Sequence, residues 1–206
     1  MREAGRTTGR PVRHGTTAEL RTVSGLLARA FVDDPMTMWL HPNASARLAK
    51  QHIVFELQAR YAHASSNGIE LAVDQSAGLV GAALWLAPHR RSPAMTLSER
   101  ATLWRAYGRH YGRAAAATRL IWSSHVQEPH WHVLSIATAR EFRGRGYGRH
   151  LMESGLSRCR AEGLPAHLET SKPENLPFYG RLGFEVTTTV ALPGGGPTVW
   201  LLRHQP

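Results

Sequence analysis

The pattern of apolar and polar residues changes along the chain, from helical spacing in the first part to short apolar runs later. Apolar residues recur at helical intervals from Leu20 to Phe31, after an N-cap at Thr16 or Thr17 and before an Asp-Asp-Pro stop. A second helix is predicted from Ala44 to Ser65, and a mostly helical region over 97–122. Between them, the runs "IELAV" and "GLVGAALWLAP" flank a polar turn and predict a β-hairpin.

The second half of the chain alternates strands and helices. The run "HWHVLSIAT" (130–138) predicts a strand, which a glycine-rich turn joins to a helix over 148–163. "AHLET" (166–170) predicts another strand, "PENLPFYGRLG" a short helix closed by Gly183, and "FEVTTTVAL" with "PTVWLL" an antiparallel pair. Crossover and hairpin connections therefore occur together, which predicts an α/β sandwich. Residues 1–11 are polar and without periodicity and predict a disordered leader, followed by one domain over 12–206.

Length and composition restrict the class of protein. A chain of 206 residues with 42% hydrophobic content can bury one ordinary core. It has no run of 18 apolar residues and no apolar segment after its basic N-terminus, so neither a membrane span nor a secretory signal is expected. The single cysteine, Cys159, lies in a helical pattern and predicts a buried small side chain. These features predict a soluble cytoplasmic protein with no membrane partner.

The net charge of +10 raises the alternative of a nucleic-acid-binding protein. Only two of the 25 basic residues, Lys50 and Lys172, are lysines, and the arginines are scattered from Arg2 to Arg203. A nucleic-acid interface gathers its cations on one face or stripe, so no nucleic-acid partner is expected.

The segment "EFRGRGYGRHLM" (141–152) places glycines at alternate positions among arginines, directly before a predicted helix. A Walker loop is excluded because no lysine follows the glycines. A dinucleotide fingerprint would use Gly144 and Gly146, but its third glycine is replaced by Arg149. Glu169 stands where that fold has its ribose-binding acid, yet too little chain follows to complete a doubly wound sheet.

A third pattern has Gln or Arg, then Gly three residues later, then Gly or Ala two residues after that. Arg143, Gly146 and Gly148 match it. Glycines allow a tight turn close to a ligand, and the N-terminus of the next helix favours an anion. A pyrophosphate would suit this turn, although a glycine-rich connection also serves as a purely structural turn.

This loop, together with "LETSKPENLPFYGRLGFEV" (168–186), resembles the two signature motifs of the GNAT family of N-acetyltransferases. In the second motif an asparagine and a tyrosine precede a glycine–aromatic pair, here Gly183 and Phe184. The resemblance covers nearly the whole domain. It implies acetyl-CoA as cofactor and a three-layer α/β/α sandwich whose mostly antiparallel central sheet splays between its fourth and fifth strands.

The resemblance also assigns roles to residues. The phosphate loop and the asparagine of the second motif would contact acetyl-CoA: Arg143, Gly144, Arg145, Gly146, Tyr147, Gly148, Arg149 and Asn175. The end of the fourth strand, Ile136, Ala137 and Thr138, would pair with the pantetheine arm. Tyr179 matches the family's tyrosine that contacts the cofactor near the CoA sulfur and serves as general acid. A phenol with a pKa of about 10 stays protonated at neutral pH and can protonate a departing thiolate. A packing role for Tyr179 and a helix-start role for Asn175 stay open.

The general base is a choice between two residues. His132 lies eleven positions before Arg143, where several family members carry a Glu or His base. Glu128 is the alternative, an amine of low pKa would need no base, and a buried structural role for His132 stays open. His125, Glu128, His130 and His132 could also form a metal cluster, but their order is loose and acetyl transfer needs no metal, so none is expected.

The acceptor would lie between the first helices and the fourth strand. Its candidate contacts are aromatic or acidic: Phe31, Asp33, Asp34, Trp39 and Trp85, with Trp104, Tyr107 and Trp122 as further aromatics. The predicted function is acetyl-CoA-dependent transfer, within a ternary complex, to a primary amine of a small molecule such as an aminonucleoside antibiotic like puromycin. Acetylation of a protein or peptide amine and a non-catalytic CoA sensor are the alternatives, and the protein would be a monomer or homodimer.

Overall fold

A computed structural model of the chain describes residues 12–65, 68–88, 95–125 and 128–206, so the predicted leader over 1–11 lies outside the described residues. The strands are β1 (Val12–His14), β2 (Ile69–Asp74), β3 (Gly78–Leu86), β4 (Trp131–Thr138), β5 (Ala166–Thr170), β6 (Phe184–Ala191) and β7 (Thr198–His204). The helices are α1 (Leu20–Ala30), α2 (Pro35–Leu40), α3 (Ala44–His63), α4 (Leu97–Tyr107), α5 (Tyr111–Ser123), α6 (Tyr147–Glu162) and α7 (Leu176–Gly180). None of the helices in these ranges is long and apolar enough to cross a membrane.

The strands form one mixed sheet in the order β1-β2-β3-β4-β5-β7-β6. Every neighbouring pair is antiparallel except β4 and β5, which run parallel. This parallel pairing covers only Trp131–Val133 against Ala166–Leu168, although β4 continues to Thr138. The two strands therefore separate beyond Val133, and the predicted α/β class with a splay between the fourth and fifth strands is confirmed.

Helices cover both faces of the sheet. On one face, α1 and α3 bury Val23, Leu27 and Phe55 against the β2 and β3 side chains that include Leu84. On the other face, α6 packs against a cluster that includes Trp85, and Cys159 is buried there as predicted. Farther along the sheet, α5 packs on β6 and β7. Because successive strand residues point to opposite faces, adjacent Leu84 and Trp85 belong to different layers.

Two elements differ from the sequence-based expectation. The Asp-Asp-Pro segment ends α1 as predicted, but it also begins α2. The Asp34 carboxylate accepts hydrogen bonds from the backbone N–H groups of Met36 (2.9 Å) and Thr37 (3.3 Å), and Pro35 occupies the first turn. Proline and an aspartate N-cap are both favourable at a helix start. The short strand β1, which pairs with β2, was also not expected.

Candidate active site

The phosphate loop connects β4 to α6 through a single 3-10 turn, Arg140–Phe142. Gly144 (φ +77°) and Gly146 (φ +88°) adopt left-handed backbone conformations, which are strained for residues with a Cβ atom. Gly146 directly precedes α6, so the first N–H groups of this helix lack intrahelical acceptors and face the loop. The glycine spacing thus creates a turn whose donors and positive helix end converge on one place.

A cavity of about 870 Å³ lies beside this loop. Its lining includes all the residues predicted to contact the cofactor except one: Ile136, Ala137, Thr138, Arg143, Gly144, Gly146, Tyr147, Gly148, Arg149, Asn175 and Tyr179. The exception is Arg145, whose guanidinium stacks 4.9 Å from the centre of the Phe142 ring. Lys172 and Arg181 add further cationic groups to the lining. We call this space the donor cavity.

The phosphate loop is held by contacts to both neighbouring strands. The Tyr147 hydroxyl donates a 2.6 Å hydrogen bond to the Asp74 carboxylate at the end of β2, and this bond raises the pKa of Tyr147. Arg143 Nε donates to the backbone carbonyl of Thr138 at 3.4 Å. The guanidinium of Arg149 pairs instead with Glu153 at 2.6 Å on the exposed side of α6. The start of α6 is therefore fixed relative to β2 and β4.

The end of β4 forms another wall of the donor cavity. Ile136, Ala137 and Thr138 pair with β3 along one edge, opposite Ala83, Ala82 and Gly81. The other edge has already separated from β5 and borders the cavity. An extended ligand segment could therefore lie along this edge as an additional strand.

Tyr179 is buried in α7 and lines both the donor cavity and a second one. Its ring is held by edge contacts with Phe178 and Phe184, at centroid distances of 5.2 and 5.9 Å. Burial raises the pKa of Tyr179, and the negative charges of Asp34 and Glu169 raise it further. The phenol therefore keeps its proton at neutral pH and can donate it.

The second cavity, of about 340 Å³, adjoins the donor cavity. Both are lined by Phe31, Asp34, Ile136, Asn175 and Tyr179. The rest of its wall is partly aliphatic, and it also carries aromatic and polar side chains from distant elements: Gln51, Phe55, Gln58, Tyr107, Thr118, Trp122, His132, Ser135 and Glu169. We call it the acceptor cavity, because it lies across Tyr179 from the phosphate loop.

His132 lies on β4 in the wall of the acceptor cavity and is buried. Its ring stacks on Trp122 with 5.2 Å between centroids, and its Nε2 atom lies 3.3 Å from Glu169 Oε2. The other Glu169 oxygen contacts Nε2 of His125. Burial acts to raise the pKa of Glu169, but the adjacent His132 and His125 outweigh it and lower this pKa.

Glu169 lines the acceptor cavity, but the sequence did not predict this position. From sequence it was considered only as the ribose-binding acid of a dinucleotide fold. A signal was present: Glu169 lies near the carboxyl end of β5, the one strand parallel to β4, and two residues after the partner of His132. Carboxyl ends of adjacent parallel strands are frequent places for functional side chains in α/β proteins.

Several predicted site residues lie elsewhere. The Glu128 carboxylate pairs with Arg203 at 2.5 Å and lies 3.7 Å from Nε2 of His167. Trp39 donates to the Gly194 carbonyl (3.3 Å) and stacks under Arg113. Trp85 is fully buried against α6, so the structure does not bring it to the acceptor cavity.

The three acceptor candidates near α2 are close to the cavities. Phe31 and Asp34 line both, whereas exposed Asp33 lines only the donor cavity. Asp34 also accepts a 3.0 Å hydrogen bond from the Ser171 hydroxyl. Burial raises the pKa of Asp34, against the opposing effect of these hydrogen bonds and of Lys172. Its carboxylate therefore joins α2 to the segment after β5 while facing the junction of the cavities.

The sequence profile of the Acetyltransferase (GNAT) family matches residues 80–184, which include β4, the phosphate loop, Glu169 and Tyr179. The chain belongs to the GNAT acetyltransferase family. Enzymes of this family use acetyl-CoA as the acetyl donor and acetylate amines of small molecules or peptides. The protein is therefore an acetyltransferase, and the cationic groups, open strand edge and left-handed glycines of the donor cavity fit acetyl-CoA.

Individual relatives agree with this family assignment. An uncharacterised N-acetyltransferase of Schizosaccharomyces pombe is 26% identical over 187 residues, which cover 84% of this chain and 74% of that protein. A crystal structure from Corynebacterium glutamicum, described as histone acetyltransferase HPA2 and related acetyltransferase, superposes with a TM-score of 0.73 at 27% identity over 95% of both chains. Arylalkylamine N-acetyltransferase 2 of Aedes aegypti shares the fold at 11% identity, with a TM-score of 0.64 over 94% of this chain and 97% of its own.

Proposed function

We propose that the protein acetylates a primary amine of a small molecule by direct transfer within a ternary complex. The observation that carries this proposal is that Tyr179 and Ile136 line both cavities. A donor and an acceptor bound on either side of them would meet without a covalent enzyme intermediate. Cys159, the single cysteine, is buried on α6 and lines neither cavity, so it takes no part.

On the donor side, acetyl-CoA supplies the thioester-activated acetyl group when bound. Arg143 and the N–H groups at the start of α6 would hold its pyrophosphate, and Asn175, which also lines the donor cavity, would contact the cofactor. The free edge of β4 at Ile136–Thr138 would orient the pantetheine arm. A backbone N–H on this edge would stabilise negative charge on the thioester oxygen.

Two side chains would move protons. Tyr179, whose burial keeps the phenol protonated, would donate a proton to the departing thiolate. His132 would accept the proton that the attacking amine loses, and the Glu169 carboxylate 3.3 Å from its Nε2 would orient the ring and stabilise its cationic form. The alternative base, Glu128, is paired with Arg203, so we favour His132.

The lining of the acceptor cavity supports a cationic amine with an attached flat or apolar body. Asp34 and Glu169 supply negative charge, while Phe31, Tyr107 and Trp122 supply aromatic surface. A volume of about 340 Å³ is that of a small-molecule pocket. The segments "AFVDDP", "EPHW" and "LETS" with "NLPFY" and "RLGF" also resemble puromycin N-acetyltransferase. Puromycin is therefore the first acceptor to test. Its acetylation in the cytoplasm would give the protein a role in antibiotic resistance.

An assay that measures the release of free CoA thiol from acetyl-CoA tests this proposal. It would use separate panels of puromycin-like aminonucleosides, polyamines, arylalkylamines and peptides as acceptors. We expect the highest kcat/KM with a small-molecule amine. Peptide amines are the second candidate, because the Corynebacterium neighbour is described as a histone acetyltransferase. A preference for peptides would overturn the small-molecule assignment, and acetyl-CoA binding without thiol release from any amine would favour a sensor.

A further inference from the structure

Four imidazoles gather where β4 and β5 begin and α5 ends. His125 follows α5, His130 immediately precedes β4, His132 is the second residue of β4, and His167 pairs with His132 across the parallel strands. The His125 and His132 rings lie 5.2 Å apart, and those of His130 and His167 lie 4.4 Å apart. Of these four histidines, only His132 takes part in the proposed acetyl transfer. The proximity of the other three therefore needs a separate explanation.

We infer that His125, His130 and His132, together with Glu169, form a binding site for a divalent transition-metal ion such as Zn²⁺. One ring nitrogen from each of the three histidines lies within 4.8 Å of those of the other two. Ligand nitrogens of a tetrahedral zinc ion are about 3.3 Å apart, so modest side-chain movement would bring these nitrogens into coordination. Imidazole nitrogen and carboxylate oxygen are ligands that zinc favours.

The contacts of Glu169 mark where the ion would lie. Its carboxylate contacts Nε2 of both His125 and His132. An ion held by the three imidazoles would have this carboxylate beside it, as a fourth ligand or as the partner that orients the His125 and His132 rings. The proposed acetyl transfer uses the Glu169–His132 pair but gives no role to His125 or His130.

The surroundings prepare these ligands for a metal. His130 Nδ1 donates a 2.7 Å hydrogen bond to the backbone carbonyl of Glu128, so the lone pair of the neutral ring is on Nε2. A backbone carbonyl is one of the common partners for the second ring nitrogen of a metal-binding histidine. His132 is buried, and its Nδ1 has no hydrogen-bond partner among the described residues. Trp122 stacks on His125 and His132 and shields one side of the cluster.

The order of these residues in the sequence is too loose to predict a metal site, but the fold closes the distance between them. The site would lie in the wall of the acceptor cavity, since His132 and Glu169 line it.

A competition titration of the full chain with Zn²⁺ and a chromophoric chelator tests the site without acetyl-CoA or an acceptor. We expect one saturable Zn²⁺ per chain and an affinity at least tenfold weaker in His130→Ala, with an unchanged affinity in His14→Ala, a surface histidine on β1. His130 is only partly buried, so its variant should fold, and thermal unfolding would check this. Equal affinities in wild type and His130→Ala, or no stoichiometric binding, would overturn the inference.

Cobalt provides a second readout. Co²⁺ bound at the site should show intense visible absorption of the tetrahedral type, and this absorption should be lost in His130→Ala. A spectrum identical to that of hydrated Co²⁺ would count against the site. Since both measurements report binding alone, failure of the proposed acetyl transfer would leave their outcome unaffected.

Discussion

The donor and acceptor cavities meet at Tyr179 but are built in different ways. The donor cavity is lined mainly by two continuous stretches, 136–149 and 172–182, together with residues from 30–35 at the end of α1 and the start of α2. The acceptor cavity is lined by residues from α2, α3, α4, α5, α7, β4, β5 and β7 and from the segments between them, including Phe31 after α1. Acetyl-CoA is the donor throughout the family, and the donor cavity is built from few segments, whereas the acceptor cavity brings together many segments that are distant in sequence.

The largest effect is expected at the junction of the two cavities. Tyr179→Phe should lower kcat by roughly 10²-fold or more, because it removes the proton donor while keeping the buried ring. The Kd for acetyl-CoA, measured by calorimetry, should stay close to wild type. Tyr111→Phe, on α5 and away from both cavities, is the matched control. Turnover within about twofold of wild type in Tyr179→Phe would leave the tyrosine with a packing role only.

A change in the phosphate loop should weaken the binding of acetyl-CoA without changing the binding of the acceptor. Gly146→Val places a branched side chain at φ +88°, where backbone strain of about 1–3 kcal/mol should weaken acetyl-CoA binding roughly 10- to 100-fold. A Cβ atom at this position meets nothing closer than His150 at 3.8 Å, so the effect would come from the backbone and not from a clash.

The control for this loop variant is Gly112→Val, since Gly112 is exposed on α5 and has an ordinary backbone conformation. Calorimetry should show no change in its acetyl-CoA affinity. A Gly146→Val protein that binds acetyl-CoA like wild type would show that the loop does not hold the pyrophosphate.

A change in the wall of the acceptor cavity should alter the KM for the acceptor and leave the affinity for acetyl-CoA unchanged. Trp122→Ala removes an aromatic surface of the acceptor cavity and should raise the acceptor KM roughly tenfold, leaving the Kd for acetyl-CoA unchanged. Steady-state kinetics with the best amine would measure the first quantity and calorimetry the second. A matching loss of acetyl-CoA affinity would mean that the two cavities are not independent.

The smallest effect is expected on the pH dependence of stability. It involves His41, which packs against Tyr107 in the wall of the acceptor cavity. Burial, helped by the nearby charges of Lys50, His110 and Arg47, lowers the pKa of His41 to about 4, and its ring stacks on Tyr107 at 5.0 Å. The unfolded chain then binds the proton more tightly than the folded one. The free energy of unfolding should therefore fall by more than about 1 kcal/mol as the pH drops from about 6.5 to 4.

Urea unfolding at several pH values would measure this loss, with His41→Gln as the comparison. The variant removes the titrating ring, so its stability should depend less on pH across this window. An identical pH dependence in the two proteins would assign the acid sensitivity to other groups.

The sequence by itself determined most of the fold and the donor half of the site. The β2–β3 hairpin, β4, α6, β5 and the terminal hairpin follow from local periodicity and glycine positions, and all were predicted. Gly144 and Gly146 could be identified because left-handed backbone restricts the residue type at a fixed spacing. Asn175 and Tyr179 were located through a motif that is likewise continuous in sequence.

Only the tertiary structure decided which side chains meet in the acceptor half. Trp85 and Leu84 are neighbours, yet a one-residue difference along a strand places them on opposite faces of the sheet, and an irregular pairing with β4 falls between them. Glu128 pairs with Arg203, whereas Glu169, more than forty residues later in the sequence, contacts His125 and His132. Such contacts depend on side-chain direction, strand register and helix packing across distant segments, and local pattern does not encode them.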